Sequence, residues 1–252
     1  MSLSRERIIQ KRLFALGILV FVASGCAKHY ISHPFKPDTS SAREINIIAL
    51  APVEVPSDLL KSAQVPLELA SMISEKLVQA GFQVVGPEVF KEKMTAVIRE
   101  KGGAYDPITG KRDEAKFREL KKACLSNIQA TTGAKAALWA KVVPVPAPFS
   151  GCRARWDGTT EYVSTTFLGI FCPTSSMFGN TSAISLVVTM EDIDGNILYF
   201  NGGGIQLLKR FVESFPFGGK FQNVADDQLL ADTARKSAAV ELALGPLLSP
   251  DK

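Results

Sequence analysis

The side chains best suited to nucleophilic or metal chemistry are few in this 252-residue chain. They comprise four cysteines and two histidines: Cys26, Cys124, Cys152, Cys172, His29 and His33. Because both histidines lie within the first 33 residues, the rest of the chain has no imidazole for a catalytic triad, a zinc site or proton transfer. The cysteines show no Cys-x-x-Cys spacing either. The sequence therefore predicts no enzyme activity, no metal site and no cofactor.

The first 25 residues have the pattern of a secretory signal peptide. Basic residues come first, and twelve uncharged, mostly apolar residues follow them: Arg5, Arg7, Lys11 and Arg12, then residues 13–24. A helix of that length falls short of a hydrocarbon core of about 30 Å. A cleaved signal peptide is therefore favoured over a membrane-spanning helix.

The residues that end this leader resemble the lipobox of bacterial lipoproteins. Three small residues, Ala23, Ser24 and Gly25, directly precede Cys26. The resemblance implies that Cys26 is acylated and becomes the new amino terminus, and two or three acyl chains give stable anchoring. The next residue is Ala27 rather than aspartate, which by the same resemblance implies sorting to the outer membrane. The alternative is an ordinary secretory signal with an incidental cysteine.

Composition divides the chain into three predicted parts. Residues 1–25 are the signal peptide, 26–44 a polar and Pro-bearing stretch typical of a flexible, lipidated tether, and 45–248 a periplasmic domain with a β-rich insertion at 144–182. The chain has 29 Lys and Arg against 25 Asp and Glu, and without the leader the positive excess falls to one charge. A basic nucleic-acid-binding surface is thereby disfavoured, and no nucleic acid is expected as a partner.

Strands and helices alternate through the first half of the predicted domain. The β-branched apolar run 45–55 indicates a buried strand, and residues 82–85 indicate a second. One predicted helix runs from Pro66 to Gly81 and another begins at Pro87. This order predicts an α/β (α+β) fold, a single three-layer-like domain in which helices flank a mixed β-sheet.

The second half of the domain is predicted to be richer in β-structure. A third helix runs from Glu114 to about Thr131, and a strand at 136–143 is expected to end at Pro144, Pro146 and Pro148. Asp194-Gly195-Asn196 between two apolar runs indicates a hairpin turn. A last helix is expected from near Asp226 to Gly245 and Pro246. Gly202-Gly203-Gly204 is predicted to serve close backbone packing or a bulge rather than phosphate binding.

The order of these features resembles the curli-secretion lipoprotein family and its relatives, across roughly residues 45–245. The resemblance rests on the lipidated cysteine, a helix leading into Gly81-Phe82-Gln83-Val84-Val85, Thr132-Gly133-Ala134 before a strand, the hairpin and an Ala-rich last helix. Its relatives include the amino-terminal domain of the translocation protein TolB and lipoprotein activators of penicillin-binding proteins. The resemblance implies an anchored periplasmic domain that binds other proteins or assembles with itself and catalyses nothing.

Two site hypotheses concern the insertion at 144–182, where the chain departs from that family. Cys152 and Cys172 are the preferred disulfide pair in an oxidising compartment, with Cys124 left as a buried free thiol. Arg155, Trp156 and Asp157 are a candidate partner-binding site, because Trp and Arg are frequent interface anchors. The alternative for Trp156 is a role in capping the core.

Basic side chains also cluster on the third predicted helix and just before it: Lys111, Arg112, Lys116, Arg118, Lys121 and Lys122. A solvated helix face is the expected interpretation, and contact with acidic partners, lipid head groups or peptidoglycan is the alternative.

The function predicted from these observations is that of a non-enzymatic, lipid-anchored assembly or accessory factor acting through protein contacts. The alternatives are a secretion-channel or pore component, in which residues 158–190 would insert as strands, and an activator of a peptidoglycan synthase. The expected partners are the outer-membrane bilayer, through acyl chains on Cys26, and an envelope protein or further copies of this chain.

Overall fold

The computed structural model describes residues 42, 44–60, 62–164, 174–213 and 219–248. Cys26, both histidines and Cys172 lie outside these ranges. The helices of the described part are α1 Gln64–Gln79, α2 Pro87–Lys101, α3 Glu114–Thr132 and α4 Thr233–Leu248. The strands are β1 Ile47–Leu50, β2 Gln83–Val85, β3 Ala136–Ser150, β4 Arg153–Trp156, β5 Thr159–Tyr162, β6 Phe178–Asp192, β7 Ile197–Leu207, β8 Lys209–Glu213 and β9 Gly219–Asn223.

Two long antiparallel strands form the centre of a mixed sheet. β3 and β6 pair along their whole length, from Ala136 opposite Asp192 to Ser150 opposite Phe178. The start of β3 pairs in parallel with β1, which pairs in parallel with β2. On the other side, β6 pairs antiparallel with β7. The predicted mixed sheet is confirmed.

Helices cover both faces of the first half of this sheet, so the predicted three layers are confirmed. Because successive side chains of a strand point to opposite faces, Ile48 and Leu138 pack with α1 and α4. Their neighbours Ala49 and Ala137 pack with α2 and α3. None of the helices in the described part is long and apolar enough to cross a membrane.

β3 continues to Ser150, so the prediction that it ends before the prolines is wrong. The backbone N–H and C=O groups of the even-numbered residues of β3 point towards β1 and the segment that follows it. The Val142 amide, for example, donates to Glu54 O at 2.8 Å. Pro144, Pro146 and Pro148 share that parity, so their missing N–H groups fall on the edge away from β6 rather than in the β3–β6 ladder. Prolines are tolerated in strands at such edge positions.

The second half of the sheet has strands where the first half has helices. β4 and β5 form a hairpin next to the end of β3, and β8 pairs with β9. Together with β3, β6 and β7 they enclose a third apolar cluster that includes Trp156, Phe149 and Leu207. Much of the predicted insertion 144–182 lies in this region, and residues 165–173 are outside the described part.

α4 differs from the prediction at both ends. It begins at Thr233, after the Asp232 carboxylate accepts hydrogen bonds from the Ala234 and Arg235 amides at 2.9 and 3.2 Å. It then continues through Pro246 to Leu248. Because proline has no N–H, it cannot donate to the carbonyl four residues earlier, that of Leu242. The Asn201 side-chain amide donates to that carbonyl at 3.0 Å, which compensates for the missing bond.

Two of the three consecutive glycines of β7, Gly203 and Gly204, serve close packing, as predicted. A Cβ atom on Gly203 would lie 2.0 Å from the Ala239 carbonyl oxygen of α4, and one on Gly204 would lie 2.7 Å from Trp156 Nε1. A bulge follows Gly204, because Ser185 pairs with Gly204 while Ile184 pairs with Gln206. The predicted hairpin is also confirmed, with Gly195 at φ 87° between β6 and β7.

Candidate functional site

An apolar groove of about 410 Å³ lies between α2 and α3, beyond the end of β1. We call it the α2/α3 groove. It is lined by Pro52, Val53, Glu54, Phe90, Lys91, Met94, Thr95, Ile98, Gly103, Ala104, Tyr105, Phe117, Leu120 and Trp139. Most of these side chains are apolar, which is typical of sites that bind small molecules or protein side chains.

Helical spacing places one wall of the groove. Phe90, Met94 and Ile98 follow one another at intervals of four residues in α2, so they lie on the same side of the helix. Phe90 is buried, while Ile98 at the outer rim is 41% exposed. α2 ends at Lys101. The next residue, Gly102, has a φ of 81° and reverses the chain at the groove margin.

A short turn closes one end of the groove. Tyr105 and Arg112 form an isolated antiparallel bridge, and the Asp106 carboxylate accepts the Ile108 and Thr109 amides at 2.9 and 2.7 Å. These backbone hydrogen bonds, chiefly that of Thr109, lower the pKa of Asp106 below its ordinary value. The ordered turn holds two apolar side chains in solvent, since Tyr105 is 61% and Ile108 92% exposed.

Trp139 of β3 contributes to the lining from the side of the sheet. Its ring meets Phe90 edge-on, with centroids 4.9 Å apart, and Lys121 Nζ lies 4.6 Å from its centroid. Lys121 is itself held by Glu191 at 2.5 Å. The buried Trp139 Nε1–H has no acceptor in the described part of the chain. The lining therefore supplies mainly apolar contact.

The basic residues near α3 are partly neutralised by ion pairs. Lys121 pairs with Glu191, Lys122 with Asp194 and Arg112 with Glu114. Because half of the predicted basic cluster is paired in this way, its excess charge is smaller than the sequence suggests. The exposed pairs Arg112–Glu114 and Lys122–Asp194 contribute little to stability, whereas the Lys121–Glu191 pair is largely buried.

The three candidate partner-binding residues occupy different environments. Arg155 and Trp156 lie on β4, and Asp157 directly follows it. Arg155 is exposed. Trp156 is 0% exposed and its Nε1–H donates to Ile184 O at 3.3 Å. Asp157 is buried, accepts a 2.5 Å hydrogen bond from Ser185, and has a φ of 37°. An exposed Trp156 anchor is therefore wrong, because alternation along β4 points its ring into the third cluster, and the core-capping alternative fits.

Of the predicted cysteine sites, the structure describes two. Cys124 is a buried free thiol, as predicted, and burial raises its pKa to about 11. Cys152 is half-buried and disulfide-bonded. Cys172 and Cys26 lie outside the described residues, so the Cys152–Cys172 pairing and lipidation of Cys26 stay predictions. In the described part, no three His, Cys, Asp or Glu side chains come together in a way that could hold a metal ion.

Sequence reasoning missed the α2/α3 groove. The predicted helix that begins at Pro87 carries Phe90, Met94 and Ile98 at intervals of four residues, and that spacing is equally the pattern of a core-facing stripe. The turn at 102–112 separates the start of α3 from the end of α2, and the resulting gap cannot be read from periodicity. The signal that could have indicated it is Tyr105, an aromatic residue in a glycine-rich turn.

No model of a known protein family matches the chain, and no curated protein does. Solved structures do match it. Lipoprotein GNA1162 from Neisseria meningitidis is 15% identical, with 64% of this chain and 81% of that chain covered and a TM-score of 0.32. Two structures of the PelC dodecamer from Paraburkholderia phytofirmans are 9% and 8% identical, cover 81% and 82% of this chain and 90% and 89% of their own, and have TM-scores of 0.35.

Proposed function

We propose that this chain is a lipid-anchored protein of the bacterial cell envelope that acts, without catalysis, as an assembly or accessory factor. Acyl chains on Cys26 would hold it to the outer membrane, with the domain at 45–248 facing the periplasm. Its partners in this proposal are the bilayer and a second envelope protein or another copy of the chain. The net charge of the chain without its leader supports no nucleic-acid partner.

The observation that carries the proposal is the α2/α3 groove together with its exposed apolar rim. Ile98 and Tyr105 line a concavity whose lining is mainly aliphatic and aromatic, and Ile108 is exposed in the turn that follows Tyr105. A contiguous apolar surface of this kind is unfavourable in water, and in folded proteins it is a frequent mark of an interaction site. The hydrogen bonds that the Asp106 carboxylate accepts fix the turn, so this surface is held in place before a partner binds.

The occupant that fits is a large apolar side chain of a partner protein. Full burial of one leucine or phenylalanine contributes about 1.5–3 kcal/mol, and the surrounding rim would exclude water from that contact.

The test is a pull-down from native envelopes with the full, lipidated chain carrying Ile98→Glu. A carboxylate at the rim should weaken burial of an apolar partner, so envelope proteins captured by the unchanged chain should be lost. The matched control is Val78→Glu, which places the same charge on an exposed apolar residue near the end of α1, outside the groove lining.

Loss of the same proteins with both variants, or with neither, would contradict a role for the groove. The identity of the captured protein then separates the finer roles. A peptidoglycan synthase would support the activator role, and further copies of this chain would support a secretion-channel component.

A further inference from the structure

A second surface lies at the other end of β3, away from the α2/α3 groove. Ser150 pairs with Phe178 on one side and with Arg153 on the other, and Arg153 pairs with Tyr162. Directly paired residues point to the same face of a sheet. Phe178, Ser150, Arg153 and Tyr162 therefore form one row across four strands, which we call the arginine row, about 14 Å long at the usual strand spacing.

Three of the four residues of this row are of types that are frequent at protein interfaces. Phe178 is 85% exposed and Tyr162 60%. Aromatic residues and arginine are enriched at the centres of protein interfaces, while lysine and acidic residues are depleted there. The neighbouring Arg155 is two residues from Arg153 on the same strand and therefore lies on the same face. A concavity of about 660 Å³ beside the row is lined by both arginines and Tyr162.

The two arginines lack an acidic partner in the part of the chain that the structure describes. Glu161, the acidic residue of β5, points to the opposite face and is held by Arg210 at 2.9 Å and Arg235 at 2.6 Å. Arg153 stacks on Tyr162, with its guanidinium 5.2 Å from the ring centroid, and donates to the Tyr162 hydroxyl at 3.1 Å. These contacts orient one guanidinium while leaving its charge uncompensated.

We propose that the arginine row and Arg155 bind a carboxylate-bearing segment of a partner protein. Arginine favours carboxylates because its planar guanidinium can donate two parallel hydrogen bonds. The exposed Phe178 would meet an apolar side chain of the same segment. A peptide in which acidic and apolar residues alternate fits this combination.

The row lies far from the point where the chain enters the domain. The chain enters the domain at β1, whose Ile48 pairs with Ala136 at the start of β3. Ser150 is fourteen residues further along β3, a distance of about 46 Å at about 3.3 Å per residue. If Cys26 anchors the chain, the row lies at the end of the domain remote from the point where the chain arrives from the membrane.

This second surface adds to the proposed function and is tested separately from it. The probe is a short fluorescein-labelled peptide of alternating glutamate and leucine, titrated against the full chain in detergent and followed by fluorescence anisotropy. The double variant Arg153→Glu and Arg155→Glu should weaken binding about tenfold or more, since hydrogen bonds to charged groups are strong. Added salt should also weaken it, because both arginines are exposed.

The matched control reverses two exposed cations that form no ion pair within the described ranges and lie far from the row, Lys111→Glu and Arg118→Glu. This variant should keep the affinity. Circular dichroism of each variant confirms that it is folded, and Phe178→Ser gives a second, uncharged test of the same row. Equal loss with the control variant, or equal binding of a lysine–leucine peptide, would overturn the proposal. Binding of phosphatidylglycerol vesicles through the same arginines, without binding of the acidic peptide, would overturn it in favour of a lipid surface.

Discussion

Replacing Asn201 with leucine should destabilise the domain through the carbonyl that Pro246 leaves without a donor. Asn201 is buried, and its amide donates to Leu242 O at 3.0 Å and to Ala243 O at 3.3 Å. Leucine has nearly the same shape but no donor. Because an unsatisfied buried carbonyl costs about 1–3 kcal/mol, we expect the free energy of unfolding to fall by about that amount.

A double-mutant cycle isolates this explanation. Pro246→Ala restores a backbone N–H that can donate to Leu242 O within α4, so in that background Asn201→Leu should cost less by about 1 kcal/mol. The measurement is urea unfolding of the chain without its leader, followed by circular dichroism, for all four combinations. An equal cost of Asn201→Leu in both backgrounds would refute the pairing of these two residues.

Three further predictions concern single side chains. Cys124 should resist a thiol reagent at pH 8 until the chain unfolds, and rapid labelling of the native chain would contradict its burial. Burial raises the pKa of its thiol in the folded chain from 9.0 to about 11. Its contribution to stability should therefore be present below pH 9.0 and lost as the pH rises towards 11. Trp156→Ala should cost about 3–5 kcal/mol in chemical denaturation by leaving a cavity, and an unchanged midpoint would show that the third cluster does not depend on the ring. Cys26→Ser should move the protein from the membrane fraction to the soluble periplasm, and a variant that still pellets after a salt wash would show that acyl chains are not the anchor.

The elements that sequence predicts well are those whose signals are local. The β-branched apolar run of β1, the glycine that follows α3 and Asp-Gly in the hairpin each act on their own backbone, so they survive in the folded domain. The prolines of β3 were misleading because their effect depends on which edge of the strand they face. That edge is set by pairing with β6, more than thirty residues further along the chain.

The course of α4 shows the same limit. Pro246 would end an isolated helix, and here Asn201 of β7 supplies the donor that the proline lacks. Arg155 and Trp156 of β4 were predicted to form one binding site. Because successive side chains of a strand point to opposite faces, Arg155 faces solvent and Trp156 faces the core. The α2/α3 groove depends on the spacing of two helices and a turn, which no local pattern encodes.

The central claim is that the α2/α3 groove binds another envelope protein, and site-specific photocrosslinking in living cells tests it most directly. A photoreactive phenylalanine analogue at Tyr105, in the full lipidated chain, should give a discrete adduct with one protein that disappears when Ile98→Glu is added. The same analogue at Leu67, an exposed apolar position on α1, should give no such adduct. The absence of an adduct at Tyr105, or one that persists with Ile98→Glu, would contradict the account.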